Sequence, residues 1–130
     1  MSTQNDFTRS FRPTTAMSRG RVVKCDTSGQ IDLLGCDANG GIGVLMKDTT
    51  SNSFENPPVR LIGAGTVMVA VTGCPLTAGD LMVCVTSGQV SVTNGRTGNT
   101  SVKFGILLES AGPTENGNLK EVAMGFLPVT

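Results

Sequence analysis

The sequence predicts an all-β fold, a β-sandwich or a tulip-like small barrel assembled from two related halves, and three observations carry that expectation. Short segments rich in Val, Ile, Leu and Thr alternate with Gly-containing turn dipeptides across residues 21–130. No segment has the capped apolar stripe of a helix long enough to stand. One order of elements, namely strand, Ser-Gly-Gln turn, strand, loop, Gly-centred strand, loop and strand, occurs twice. At 130 residues the chain has the size of one domain with a buried core of its own.

Residues 1–20 read as an extended, irregular amino-terminal arm ahead of a single β-sandwich domain over 21–130. Ser, Thr, Arg and Asn dominate the arm, and Pro13 opposes regular structure around it. Phe7 and Phe11 are the exceptions. Two aromatics in a polar stretch have no local core to join, so they anchor the arm on a partner or on the domain's own surface. Strands are expected at Arg21–Cys25, Gln30–Leu34, Gly41–Lys47, Pro58–Ile62, Thr66–Thr72, Asp80–Val85, Gln89–Thr93, Lys103–Glu109 and Glu121–Leu127. The breaks between them hold Ser28-Gly29, Asn39-Gly40, Gly63-Ala64-Gly65, Ala78-Gly79-Asp80, Ser87-Gly88, Asn94-Gly95 and Asn116-Gly117, which supply the positive φ that hairpin turns require. Gln89–Thr93 alternates apolar and polar residues, as a strand with one buried face does, whereas Thr66–Val71 is apolar enough to be central.

The repeat aligns Val23–Ile31 with Met82–Val90, so that Cys25 matches Cys84. It then aligns Gly43 of Ile42–Met46 with Gly105 of Phe104–Leu108. A third strand begins near Val59 in one copy and near Val122 in the other. A β unit of this size needs a partner to cover its apolar face, and a second copy in the same chain supplies one.

Composition narrows the function. Net charge is zero, with 10 basic and 10 acidic residues, which gives no electrostatic basis for binding nucleic acid. The charge is unevenly placed: Arg9, Arg12, Arg19 and Arg21 against Asp6 leave the first 21 residues at +3 and the remainder at −3. A basic arm on an acidic body suits a chain that assembles with others. Trp and Tyr are absent and Phe occurs five times, too few for the stacking platforms of sugar or single-strand binders. No apolar run is long enough for a membrane span, and the polar start lacks the core of a signal peptide. Cytoplasmic synthesis and reduced thiols are therefore expected.

No cofactor, metal or catalytic residue is expected. His is absent, which removes the usual general base and the commonest metal ligand. Cys25, Cys36, Cys74 and Cys84 form no C-x-x-C pair, specify no disulfide connectivity, and read as small core residues. Asp80 fits a tight turn leading into a strand. Gly40-Gly41-Ile42-Gly43 has part of a phosphate loop but neither its Lys nor its helix. A small β-barrel enzyme or ligand-binding domain would need convergent titratable groups, which this composition does not supply.

Leu76–Val83, then Ser87-Gly88-Gln89-Val90, Phe104–Glu109 and Val122–Leu127, resemble the capsid decoration, or cement, proteins of tailed bacteriophages over residues 20–130. The resemblance implies a β-sandwich or tulip-like protein on the outside of the phage head, with the major capsid protein as partner and no enzymatic activity. It also implies self-association as trimers or dimers, and an arm lying across neighbouring capsid subunits. On that reading Phe7, Arg9, Phe11, Arg12 and Arg19 are the arm's contacts with the capsid, and the chain stabilises the shell by bridging its subunits. A head fibre base or a minor tail protein would have the same composition. The sequence has no coiled-coil or fibre repeat, which favours the capsid role.

Overall fold

The computed structural model describes residues 8–33, 41–49, 56–61, 63, 65–92 and 103–124. It contains eleven strands: β1 (Thr8–Ser10), β2 (Arg12–Pro13), β3 (Val22–Cys25), β4 (Gln30–Leu33), β5 (Gly41–Leu45), β6 (Pro58–Leu61), β7 (Gly65–Ala70), β8 (Leu81–Cys84), β9 (Val90–Val92), β10 (Lys103–Leu107) and β11 (Leu119–Met124). They form a six-stranded sheet in the order β1-β6-β5-β3-β4-β2 and a five-stranded sheet in the order β7-β11-β10-β8-β9. The fold is all-β with two sheets, and each of the nine expected strands is present with its ends shifted by one or two residues where both ends are described.

The stretch expected to be irregular is the correction. Arg9 pairs with Val59 across β1 and β6, and Pro13 pairs with Ile31 across β2 and β4. Met17 is 5% exposed and bridges Thr49, and the Gly20 N–H donates to the Leu45 carbonyl at 2.8 Å. From Thr8 onward, the segment read as an arm belongs to the first sheet. Sequence pattern misses β1 because all three of its residues are exposed and none is apolar, so no alternation marks it.

This placement makes both sheets roll. β1 and β2 lie at opposite edges of a six-stranded sheet, yet only Phe11 separates them. A flat sheet of that width would hold its edges about 24 Å apart, whereas two Cα–Cα steps reach about 7 Å. The edges must therefore come together. The second sheet obeys the same constraint: β7 ends at Ala70 on one edge, and the next residue, Val71, bridges Val90 on the other. Register shifts between Val23 and Lys24 on β3, and between Lys103 and Gly105 on β10, help each sheet to bend.

The duplication seen in the sequence extends further back than Val23. Gly20 N–H donates to Leu45 at 2.8 Å, and Gly79 N–H donates to Leu107 at 2.7 Å. Leu45 N–H donates to Arg21 and Leu107 N–H to Asp80, both at 2.9 Å. Thr14 N–H reaches the Ile31 carbonyl, and Thr72 N–H reaches that of Val90. The Met17–Thr49 bridge has its counterpart in Leu76–Ala111. The chain from Thr8 thus repeats from Thr66. Each half rolls around its own cluster: Met17, Val23, Ile31, Leu45 and Val59 in the first, matched by Leu76, Met82, Val90, Leu107 and Val122 in the second. Burying each such side chain is worth about 1.5–3 kcal/mol before the entropy of ordering it is charged. Val22 and Val44 of the first half join the second half's cluster, which unites the two.

Gly43 and Gly105 occupy the same place in the two halves for a steric reason. A Cβ on Gly43 would run into the Arg60 carbonyl, and one on Gly105 into the Ala123 carbonyl. Backbone is the obstacle in both, so neither site relaxes cheaply. Gly43→Ala and Gly105→Ala should each lower stability by about 2–3 kcal/mol. Gly29→Ala, at φ +80° with open space around it, should cost only about 1 kcal/mol. Denaturant midpoints of the three variants test this ranking; equal losses would refute the steric account.

Candidate functional site

Among the described residues no three His, Cys, Asp or Glu gather to hold a metal ion, and no helix is long and apolar enough to cross a membrane. Thr72, Cys74 and Ser91 meet in a half-buried triangle, with Thr72 Oγ1 at 2.9 Å from Ser91 Oγ and 3.2 Å from Cys74 Sγ. Hydroxyl and thiol groups satisfy one another there, and among the described residues no carboxylate or amine joins them to act as a base. Cys84 is buried against the second cluster, and that burial pushes its thiol up to about 12, so it stays protonated and inert. Cys25 holds the matching place but is exposed, contrary to the core role expected for it, because its end of β3 opens onto the Asp26 turn. Cys25, Cys74 and Cys84 are free thiols, and Cys36 lies outside the described residues.

Among the described residues one acidic group is strongly perturbed, and its role is local. Lys120 Nζ lies 2.8 Å from Glu115 Oε1, and the Gly112 N–H donates to Oε2 at 2.7 Å. Lys120 first, and then Gly112, hold the Glu115 carboxyl down at about 2 instead of 4.5. The pair pins the loop that leads into β11.

The five residues assigned to capsid contact separate into distinct environments. Phe7 lies outside the described residues. Phe11 packs against the first half's cluster, between the two edges that it joins. The Arg9 guanidinium sits 5.2 Å from the centre of the Phe11 ring, so the cation covers the ring's outer face. Arg12 is exposed on β2, and Arg19 is exposed in the turn before β3, where its N–H donates to Asp48 Oδ1 at 2.7 Å. Arg9, Arg12 and Arg19 therefore present charge outward from a fixed backbone.

A groove of about 490 Å³ runs between the halves beside Arg19, with Met46, Arg60, Met68, Leu119 and Glu121 among its walls. Met46 and Met68 are 44% and 45% exposed, unusual for side chains of that size and polarity. Sequence reasoning missed this surface because its walls come from both halves. The one local signal is Met68, which falls on the polar phase of β7 between Val67 and Val69.

No protein-family model matches the sequence, and no curated protein does. Two solved structures resemble the fold over 91% of the chain. One is the head fibre gp8.5 N base of bacteriophage phi29, at TM-score 0.67 and 16% identity over 92% of that chain. The other is from the capsid of Myoviridae phage XM1, at TM-score 0.65 and 18% identity over 82% of that chain. The fold is one found in phage heads. At 16% and 18% identity the likeness speaks for architecture: one fold can be specified by different side chains.

Phe11→Ala should destabilise the isolated protein by about 2–4 kcal/mol, because the ring serves this chain's own core; an unchanged unfolding midpoint would mean that it waits for a partner instead. The Glu115 contribution to stability is present above pH 4.5 and is lost as pH falls through about 2, because its folded pKa lies below its unfolded one. Thermal unfolding across that range should show Glu115→Gln flattening the acid-side decline; a profile identical to the parent would remove the loop from the account.

Proposed function

We propose that this chain is a non-enzymatic structural protein of a phage head, seated on the outer face of the shell with the major capsid protein as partner. The single observation that carries this reading is the likeness to the phi29 head fibre base across 91% of this chain and 92% of that one. The likeness to a chain from the XM1 capsid points the same way. The absence of a catalytic cluster among the described residues is compatible with such a role. Zero net charge is compatible with a protein that contacts protein and not packaged nucleic acid.

Two head roles were open from the sequence, a cement that bridges capsid subunits and the base of a head fibre. The fibre base likeness favours the second. The missing fibre repeat carries no weight against it, because the likeness is to a base domain and not to a shaft. In either role the physics is mass action: a protein that binds assembled shell stabilises it, and many copies on a lattice add avidity. Copies are expected to contact one another there as trimers or dimers.

Arg9, Arg12 and Arg19 are the contacts that this reading assigns to the capsid, with Phe11 supporting Arg9 from beneath. Removing residues 1–20 is no test of this, since it would take β1, β2 and Met17 out of the first half. The test is co-sedimentation with heads purified from the virus that encodes the chain, comparing the parent with Arg9→Glu/Arg19→Glu. The parent should pellet with heads, and the variant should bind at least about tenfold more weakly, or about 1.4 kcal/mol, while unfolding at the same temperature. A parent that stays in the supernatant would overturn the head reading; a variant that binds as the parent does would remove the arginines from the contact.

A further inference from the structure

The groove between the halves runs along an open strand edge. β7 stands at one side of the second sheet, and among the described residues it pairs in register only with β11. Two contacts fix the direction of its main-chain groups. Val71 N–H donates to the Asn118 carbonyl at 3.0 Å, in line with the β7–β11 register, so Val67 and Val69 also turn their N–H and C=O toward β11. The residues between them turn the other way: Ala70 N–H donates to the Gly20 carbonyl of the first half at 2.7 Å. Thr66 and Met68 share the phase of Ala70, and both line the groove. Among the described residues neither finds a main-chain partner on that side. One bond thus joins this edge to the first half at Gly20, and the stretch Thr66–Met68, about 10 Å long, stays open.

Three properties of the groove select its occupant. A row of N–H and C=O groups at strand spacing is satisfied by an extended polypeptide and by little else. Met46 of the first half and Met68 of the second are exposed in its walls, and such unbranched side chains adapt to apolar partners of varied shape. Arg19 and Arg60 stand against Glu121 alone, so the walls are net positive and favour a carboxylate. Arg19 offers its side chain from a fixed point, because its N–H donates to Asp48 Oδ1 at 2.7 Å and its side chain is exposed. A nucleic-acid strand fits less well: it has no amide ladder to pair with β7, and Glu121 would oppose its phosphates.

We propose that this groove is a docking site for an extended acidic segment of another protein. The segment adds as a strand to the edge of β7 at Thr66–Met68, lays apolar side chains against Met46 and Met68, and sets a carboxylate beside Arg19. Main-chain pairing supplies the affinity, and the methionines and arginines choose the sequence. A strand of about four to five residues covers the open edge, so the recognised element is a short alternation of apolar and acidic residues. The site goes beyond the head role and does not depend on it, since it needs neither a shell nor a second copy of the chain.

The test is fluorescence polarisation of a labelled peptide of about eight residues, alternating Val and Asp, titrated with the purified full chain. A peptide alternating Val and Lys and a labelled oligothymidylate are the controls. The acidic peptide should bind saturably, and both controls at least about tenfold more weakly. Arg19→Glu should weaken the acidic peptide by a similar factor and strengthen the basic one. Met68→Pro removes a donor that faces the groove and none that faces β11, so the variant should unfold at the parent's temperature and lose at least about tenfold in affinity. If that proline unfolds the protein, Met68→Asp, at an exposed side chain, takes its place and should repel the acidic peptide to the same extent. No saturable binding of the acidic peptide, equal binding of the basic one, tighter binding of the oligothymidylate, or folded variants that bind as the parent does would each overturn the proposal. A parent that ignores the peptide yet sediments as a dimer, which Met68→Pro dissociates, would give the edge to a second copy and overturn it as well.

Discussion

A sheet whose first strand leads directly into its opposite edge has to roll, and the rest of this molecule follows from that constraint. Phe11 is the whole connection between β1 and β2, and Ala70 and Val71 make the same crossing in the second half. Chain connectivity therefore sets the curvature. Gly43 and Gly105 permit it by letting one strand's carbonyl approach where a side chain would stand. What is enclosed is a narrow core of Val, Leu, Ile and Met, with Phe104 its largest side chain. Rolling also brings the edges of each sheet together, which removes most of the exposed edge that invites unwanted strand pairing.

Two rolled halves could join in several ways, and the way they do join decides the surface. Val22 and Val44 reach out of the first half into the cluster of the second, while their counterparts reach toward solvent. The duplicated backbone is thus clothed asymmetrically. One consequence is the groove between the halves, with its two exposed methionines and with Arg19 and Arg60 set against Glu121. Arg9, Arg12 and Arg19 are exposed on strands and a turn of the first half instead of on a loose tail.

The sequence went far toward this picture in some places and stopped short in others, for reasons that can be named. Gly-containing turns are local chemistry, so all nine alternating segments were legible, and so was the match of Cys25 with Cys84 and of Gly43 with Gly105. Thr8–Ser10 was not legible, because an exposed strand of polar residues has no pattern of its own and exists only through its pairing with β6. Phe11 was legible as an anchor on a partner or on the domain's own surface, and only the fold shows that it packs against the first half's cluster. Met46, just past β5, carries no local signal, Met68 shows only its polar phase on β7, and only the meeting of the halves leaves both at one groove.

By itself, then, the sequence determined the class of the fold, its repeat, and the absence of histidine chemistry. Each of these is written in residue type and spacing along the chain. Tertiary structure alone decided that the supposed arm, from Thr8 onward, belongs to the first half, and that Val22 and Val44 of that half enter the cluster of the second. It alone decided which copies of equivalent residues are covered. Those facts depend on contacts between residues far apart in the chain, and periodicity within a segment carries no record of which distant edge it will meet.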